Sequence, residues 1–194
     1  MKTVSATLLL IAIVAQLAVL GTLIRSRELV LRDGEAFRFK TRPIDPADPF
    51  QGRYVSLGFD NNFVSAANGE TSAARFRETV YVRIEADPDG FARFSGWSLK
   101  KPASGAFLKT RCKGERSRWD STGRQSESPG IWIDIPFNRY YMDEAKAPRA
   151  EAVVRDAARG SNCWAVVRIL NGRAVVEDVI AKGQSLRDIA ARKK

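Results

Sequence analysis

Glu78–Leu99 reads ETVYVRIEADPDGFARFSGWSL, and its two halves decide the fold. Val80, Val82 and Ile84 alternate with Tyr81, Arg83 and Glu85, the period of two that marks a strand with one buried face. Asp87-Pro88-Asp89-Gly90 then makes a turn, with proline presetting φ near its start and glycine accepting positive φ at its end. Phe91–Leu99 returns as a second strand. Strands joined by so short a turn can pair only antiparallel, so the reading for the body of the chain is an antiparallel β domain.

Toward the carboxy terminus the pattern continues. Pro102–Gly105 is a second turn and Ala106–Lys113 a third strand, followed by a polar, aperiodic stretch, Gly114–Gly130, expected to be an exposed loop. Ile131–Phe137, IWIDIPF, is apolar at alternate positions. Pro148 sits where a helix tolerates proline, in its first turn, and Ala150–Arg159 has helical composition up to Gly160. Cys163–Leu170 and Arg173–Ala181 flank Asn171-Gly172, the strongest short hairpin signal in the chain. Ser185, with Asp188 three residues on, begins a short amphipathic helix over 185–194.

Toward the amino terminus, Glu28–Lys40 (ELVLRDGEAFRFK) carries two β-prone runs around Asp33-Gly34 and predicts a hairpin. Pro43, Pro46 and Pro49 exclude regular structure, while Asp45 and Asp48 close turns through their side chains. Gly52 opens a strand over Arg53–Phe59 that puts Val55, Leu57 and Phe59 on a buried face and Tyr54, Ser56 and Gly58 on the other. Asn61–Ser72 reads as a surface loop or a short helix. The fold class is therefore mainly β with one or two helices (α+β), preceded by an apolar helix.

That helix is Val4–Ile24, a run without a charge that would span about 31 Å, the hydrocarbon thickness of a bilayer. A cleaved signal peptide is the competing reading. The length of the run and the lack of an Ala-x-Ala pattern before Arg25 favour an uncleaved anchor. The expected organisation is a cytoplasmic tail (1–3), a transmembrane helix (4–24) and an extracytoplasmic, periplasmic domain (25–194) on the inner membrane. The chain has a net charge of +10, but its basic residues are interleaved with apolar and acidic ones. It lacks a nucleic-acid-binding arm, and the charge favours anionic lipid or polymer instead.

With Gly52-Arg53-Tyr54-Val55-Ser56-Leu57-Gly58-Phe59 in view, the chain resembles the bacterial GDYXXLXY family, which is named for that motif. The motif positions are Gly52, Arg53, Tyr54, Leu57 and Phe59. Pro43, Asp45-Pro46 and Phe50 resemble the family's lead-in, and FNRYYMDE (137–144) is similar to a second block that places Tyr140, Tyr141 and Glu144. Arg53 stands where the motif has aspartate and Phe59 where it has its final tyrosine, so chemistry that used the aspartate is not available here. The resemblance implies a membrane-anchored envelope protein with a multi-span membrane protein as partner.

Candidate chemistry is sparse. The sequence has no histidine, which removes the commonest general base and metal ligand. Asp45, Asp48 and Asp60, or Asp87 and Asp89, supply oxygens but lack the twelve-residue spacing of a calcium loop, and two cysteines without histidine cannot close a zinc site. Neither a metal nor a cofactor is expected. Membrane-anchored signal peptidases contain a strand similar to 52–55 and use a serine–lysine dyad. A hydrolase of that type would draw on Ser56, Ser65 or Ser95 with Lys40, Lys100 or Lys109, none of which forms a recognisable Ser-Lys motif. Cys112 and Cys163 are the only thiols; in an oxidising compartment they are either bridged or two separate buried groups. Trp132 and Trp164 alternate with aliphatic residues and read as core. Trp97, and above all Trp119 in its polar loop near Arg116 and Arg118, are interface-type residues, as is Arg139. The expected function is a binding or assembly module rather than an enzyme.

Overall fold

Antiparallel pairing runs through every pair of named strands, as the 78–99 hairpin requires. The computed structural model describes residues 2–42, 54–59, 62–66, 74–116, 130–142, 147–160 and 162–191. Helix α1 (Lys2–Asp33) leads into β1 (Glu35–Lys40), β2 (Tyr54–Ser56), β3 (Phe63–Ser65), β4 (Thr79–Ala86), β5 (Ala92–Ser98) and β6 (Phe107–Arg116). There follow β7 (Gly130–Ile133), β8 (Arg139–Tyr141), α2 (Ala147–Arg159), β9 (Cys163–Leu170), β10 (Arg173–Ala181), β11 (Gln184–Ser185) and α3 (Leu186–Ala191). The strands form a four-stranded sheet, β1-β9-β10-β11, a five-stranded sheet, β3-β7-β6-β4-β5, and a ribbon of β2 with β8.

The main departure from the sequence reading lies at 28–33, where the predicted first hairpin strand is the continuation of α1. Helix propagation explains it. The costly nucleus is already formed by the preceding apolar turns, so each further residue adds a hydrogen bond for little entropy, and Glu, Leu and Arg are good helix formers. Val30, only 2% exposed, is packed into the domain. Gly34 donates its N–H to the Val30 carbonyl (2.9 Å) and the chain passes straight into β1. The boundary at residue 25 is therefore not a structural break. From Leu9 to Ile24 the apolar part of α1 is exposed, as a helix meeting lipid would be.

A second departure is β3, a three-residue strand paired with β7 where a loop or helix was expected. The 78–99 hairpin forms as predicted, with Val80, Val82 and Ile84 buried. Trp97 pairs with Val82, and the register shift at Ser95 lets Phe94 pair with Ile84 on the same buried face of β4; Trp97, 1% exposed, and not Trp132 or Trp164, is the core tryptophan. Those two are half-buried, because each lies between two buried neighbours on a period of two and must face the opposite side of its sheet. There Trp132 meets Phe63 and Trp164 meets Phe91 edge to face. Asn171 (φ 51°) and Gly172 (φ 80°) make the predicted tight turn between β9 and β10. Pro148 lies in the first turn of α2, whose Ala150, Val154 and Ala157 form one buried stripe.

One core runs through these layers. Val55, Leu57 and Phe59 are buried as the strand pattern predicted, although β2 itself is short. Phe39, Phe59 and Phe137 pack with ring centroids 5.1 to 6.1 Å apart. The five-stranded sheet is joined to the β9–β10 turn by the Lys109 N–H donating to the Gly172 carbonyl at 2.8 Å.

Cys112 and Cys163 are free, buried thiols, and the bridged alternative is not formed. They belong to different sheets and make separate contacts. The Cys112 Sγ donates to the Ala74 carbonyl at 3.7 Å, while Cys163 lies beside Thr41, whose N–H and hydroxyl both donate to the Cys163 carbonyl. Burial pushes the Cys163 thiol up from its ordinary pKa, so it stays protonated and unreactive. Chains extracted without reductant and then denatured are expected to titrate two thiols each; a bridged pair would titrate none.

Candidate functional site

The second family block points to the site. Tyr140 in β8 pairs with Val55 of β2 and is buried against the core, at 4% exposure. Its hydroxyl accepts a hydrogen bond from Nε of Arg187 at 2.8 Å and donates to Oδ1 of Asp178 at 3.3 Å. Asp178 can reach it because the β9–β10 register shifts between Val176 and Asp178, and Asp178 Oδ1 also accepts the Val179 N–H. Arg187, at the start of α3, further donates Nη2 to the Glu177 carbonyl at 2.7 Å. The Glu177 carboxylate is held by Arg168 through two bonds, 2.7 and 3.2 Å, and Arg168 Nη1 donates to the Gly34 carbonyl at 3.0 Å. One polar chain thus runs from the family tyrosine through β10 to the joint where α1 meets the sheet.

Burial shifts Tyr140 above its ordinary pKa, overriding the lowering effect of Arg187, so the phenol stays neutral. The hydrogen bond to Tyr140 in turn raises Arg187. Tyr140→Phe is expected to cost about 1 kcal/mol, because the partners at Arg187 are partly open to water. The neutral phenol is the form favoured by folding. Its contribution is therefore complete below the unfolded value of 10.0 and is lost as pH rises through the higher folded value. Urea unfolding should show a constant difference between the two proteins at pH 7 to 9 and a shrinking one above about pH 10.

Beside this network lies a cleft of about 730 Å³ between the last turns of α1 and strands β8 and β10. Its charged lining is Arg27, Glu28, Lys109, Arg139, Arg173 and Arg187, five cations against one carboxylate. Leu23, Val30, Pro136 and Val176 supply apolar wall. No described acidic side chain forms an ion pair with Arg27, Lys109 or Arg173. Tyr141 also lines the cleft, with 59% of its surface exposed.

Of the family-motif residues, the structure places Leu57 (2% exposed) and Phe59 (6%) in the core, and Tyr54 opposite Tyr141 in the β2–β8 ribbon. Gly52, Arg53 and Glu144 lie outside the described residues, as do Arg118, Trp119 and the proline-rich lead-in. The serine and lysine candidates are scattered. Ser65 and Ser95 are exposed, Ser56 is half-buried in β2, and Lys40 lies over the Phe91 ring at 4.6 Å. Among the described residues none of the three serines hydrogen-bonds to Lys40, Lys100 or Lys109. Asp87 serves its turn, accepting the Phe91 N–H on Oδ1 at 2.7 Å, and no three metal-ligating side chains come together among the described residues. The cleft was missed in the sequence because its cations come from five separate segments.

Comparison with curated proteins and with solved structures gives no match. The family model described as "GDYXXLXY protein" matches residues 16–179, from within α1 through most of β10. That match covers most of the chain, including both blocks that carry the resemblance, and the chain belongs to the GDYXXLXY protein family.

Proposed function

We propose that the protein is a single-pass binding module of the cell envelope, with residues 2 and 3 on the cytoplasmic side and the β domain in the periplasm, acting on a multi-span membrane protein. The observation that carries this reading is the continuous helix on which the domain is mounted. Helix α1 has no break between its apolar turns and its last turn, where Val30 is buried in the domain, and Arg168 ties that joint to β10. A domain held this way has a fixed height and orientation over the membrane, which suits docking to a partner embedded in the same bilayer better than capture of a soluble ligand by a tethered domain. The apolar helix, exposed on all sides at Leu9, Leu10, Ile11 and Ile13, offers a surface that packing with other membrane helices would cover.

Photo-crosslinkers placed in living cells at the successive positions Leu10, Ile11, Ala12 and Ile13, which point to all sides of the helix, test the proposal. Adducts to one multi-span membrane protein from one face of the helix are expected. Adducts only to lipid, with equal yield around the helix, would count against it.

A further inference from the structure

We infer that the cleft between α1 and the β domain binds the phosphate-bearing headgroup of an anionic phospholipid. The inference rests on α1 crossing the membrane. Leu23, Ser26, Arg27 and Val30 line one wall of the cleft, and at 1.5 Å per residue Leu23 to Val30 covers about 10 Å along the helix. Leu23 belongs to the apolar run and Val30 to the domain, so the cleft opens at the depth of the lipid headgroups on the side where the domain lies.

The chemistry of the lining fits that depth. Lys109 and Arg173 are exposed, sit on the two strands that meet where the Lys109 N–H donates to the Gly172 carbonyl, and have no acidic partner among the described residues. Arg187 is pre-positioned by Tyr140 and the Glu177 carbonyl, bonds that use two of its five N–H groups and leave the rest for a ligand. Oriented guanidinium groups recognise phosphate oxygens in pairs, and the ammonium of lysine adds a point charge. Leu23, Pro136 and Val176 supply apolar contact suited to the glycerol and upper acyl carbons of a lipid, which free phosphate lacks. The Tyr141 ring, exposed at the cleft, is of the type that sits at membrane–water interfaces.

The test uses the full chain purified in an uncharged detergent, supplied with equal amounts of phosphatidylglycerol and phosphatidylcholine and examined by native mass spectrometry. The wild-type chain is expected to retain phosphatidylglycerol in preference, and the Lys109→Ala/Arg173→Ala double variant to lose that preference at least ~10-fold, since each cation near a membrane surface contributes on the order of a few-fold in affinity. Both side chains are exposed, so the variant keeps its fold, which circular dichroism checks. Equal retention of the two lipids by the wild-type chain, or an unchanged preference in the variant, would overturn the inference. Displacement of the lipid by millimolar inorganic phosphate would do so too, and would assign the cleft to free phosphate. Release of the chain from membranes by alkaline carbonate would refute the membrane span itself, an outcome separable from failure of the lipid site.

Discussion

Phe137→Ala is expected to remove about 3–5 kcal/mol of stability, the range for truncating a fully buried aromatic residue. Phe137 is 3% exposed and its ring lies 5.1 Å from that of Phe39 and 5.2 Å from that of Phe59. It therefore joins β1 of the four-stranded sheet to the end of the β2–β8 ribbon, where the segment after β2 meets the approach to β8. Alanine would leave a cavity that these elements cannot fill, because each is fixed by backbone bonds: Arg42 N–H to Gly58 carbonyl, Leu57 N–H to Asn138 carbonyl. Urea unfolding of the full chain in detergent, followed by tryptophan fluorescence, should show the midpoint fall steeply with little change in slope. A loss under about 1 kcal/mol would mean that the motif region is not packed as described. The final position of the family motif, Phe59, belongs to the same cluster, so with Leu57 it makes the second half of the motif part of the core in this chain.

Gly34→Val is expected to cost about 3 kcal/mol, the upper end of overpacking penalties. A Cβ at position 34 would overlap the Val30 carbonyl oxygen and lie 3.1 Å from the Ile169 backbone nitrogen and 3.2 Å from Arg168 Cβ. None of these can yield without shifting the helix end or β9. The glycine is needed for close approach of backbones rather than for a positive φ. Its replacement should also loosen the joint, so limited proteolysis between residues 31 and 36 should accelerate in the variant and not in the wild-type chain. Unchanged stability and protection would show that α1 and β9 are not in contact at this point.

These effects show why parts of the fold were legible in the sequence and others were not. The 78–99 and 163–181 hairpins depend on local signals, alternation and turn chemistry, that agree with their tertiary setting. The buried face of Val55, Leu57 and Phe59 was readable from alternation alone. Asp33-Gly34 was misleading because the same dipeptide suits a hairpin turn and the end of a helix; propagation from α1 and the packing of Val30 decide between them. β3 is three residues long and pairs with a strand more than sixty residues away, beyond any local pattern. In the site, the second block directed attention to Tyr140 and Tyr141. Arg187 and Asp178, which fix Tyr140, carried no signal, because only the register shift in β10 and the start of α3 bring them there. The basic cleft was equally hidden, since its cations are dispersed through a generally basic sequence.

A nitroxide scan of residues 25–33 in lipid nanodiscs tests the rigid mounting of the domain most directly, and the two native cysteines, each 1% exposed, need not be removed for labelling. A single continuous helix predicts mobility and accessibility that vary with a period of 3.6 residues across the whole segment, with a sharp minimum at position 30. A period of two over 28–32, or uniformly high mobility from residue 25 onward, would contradict it and return the domain to a flexible tether.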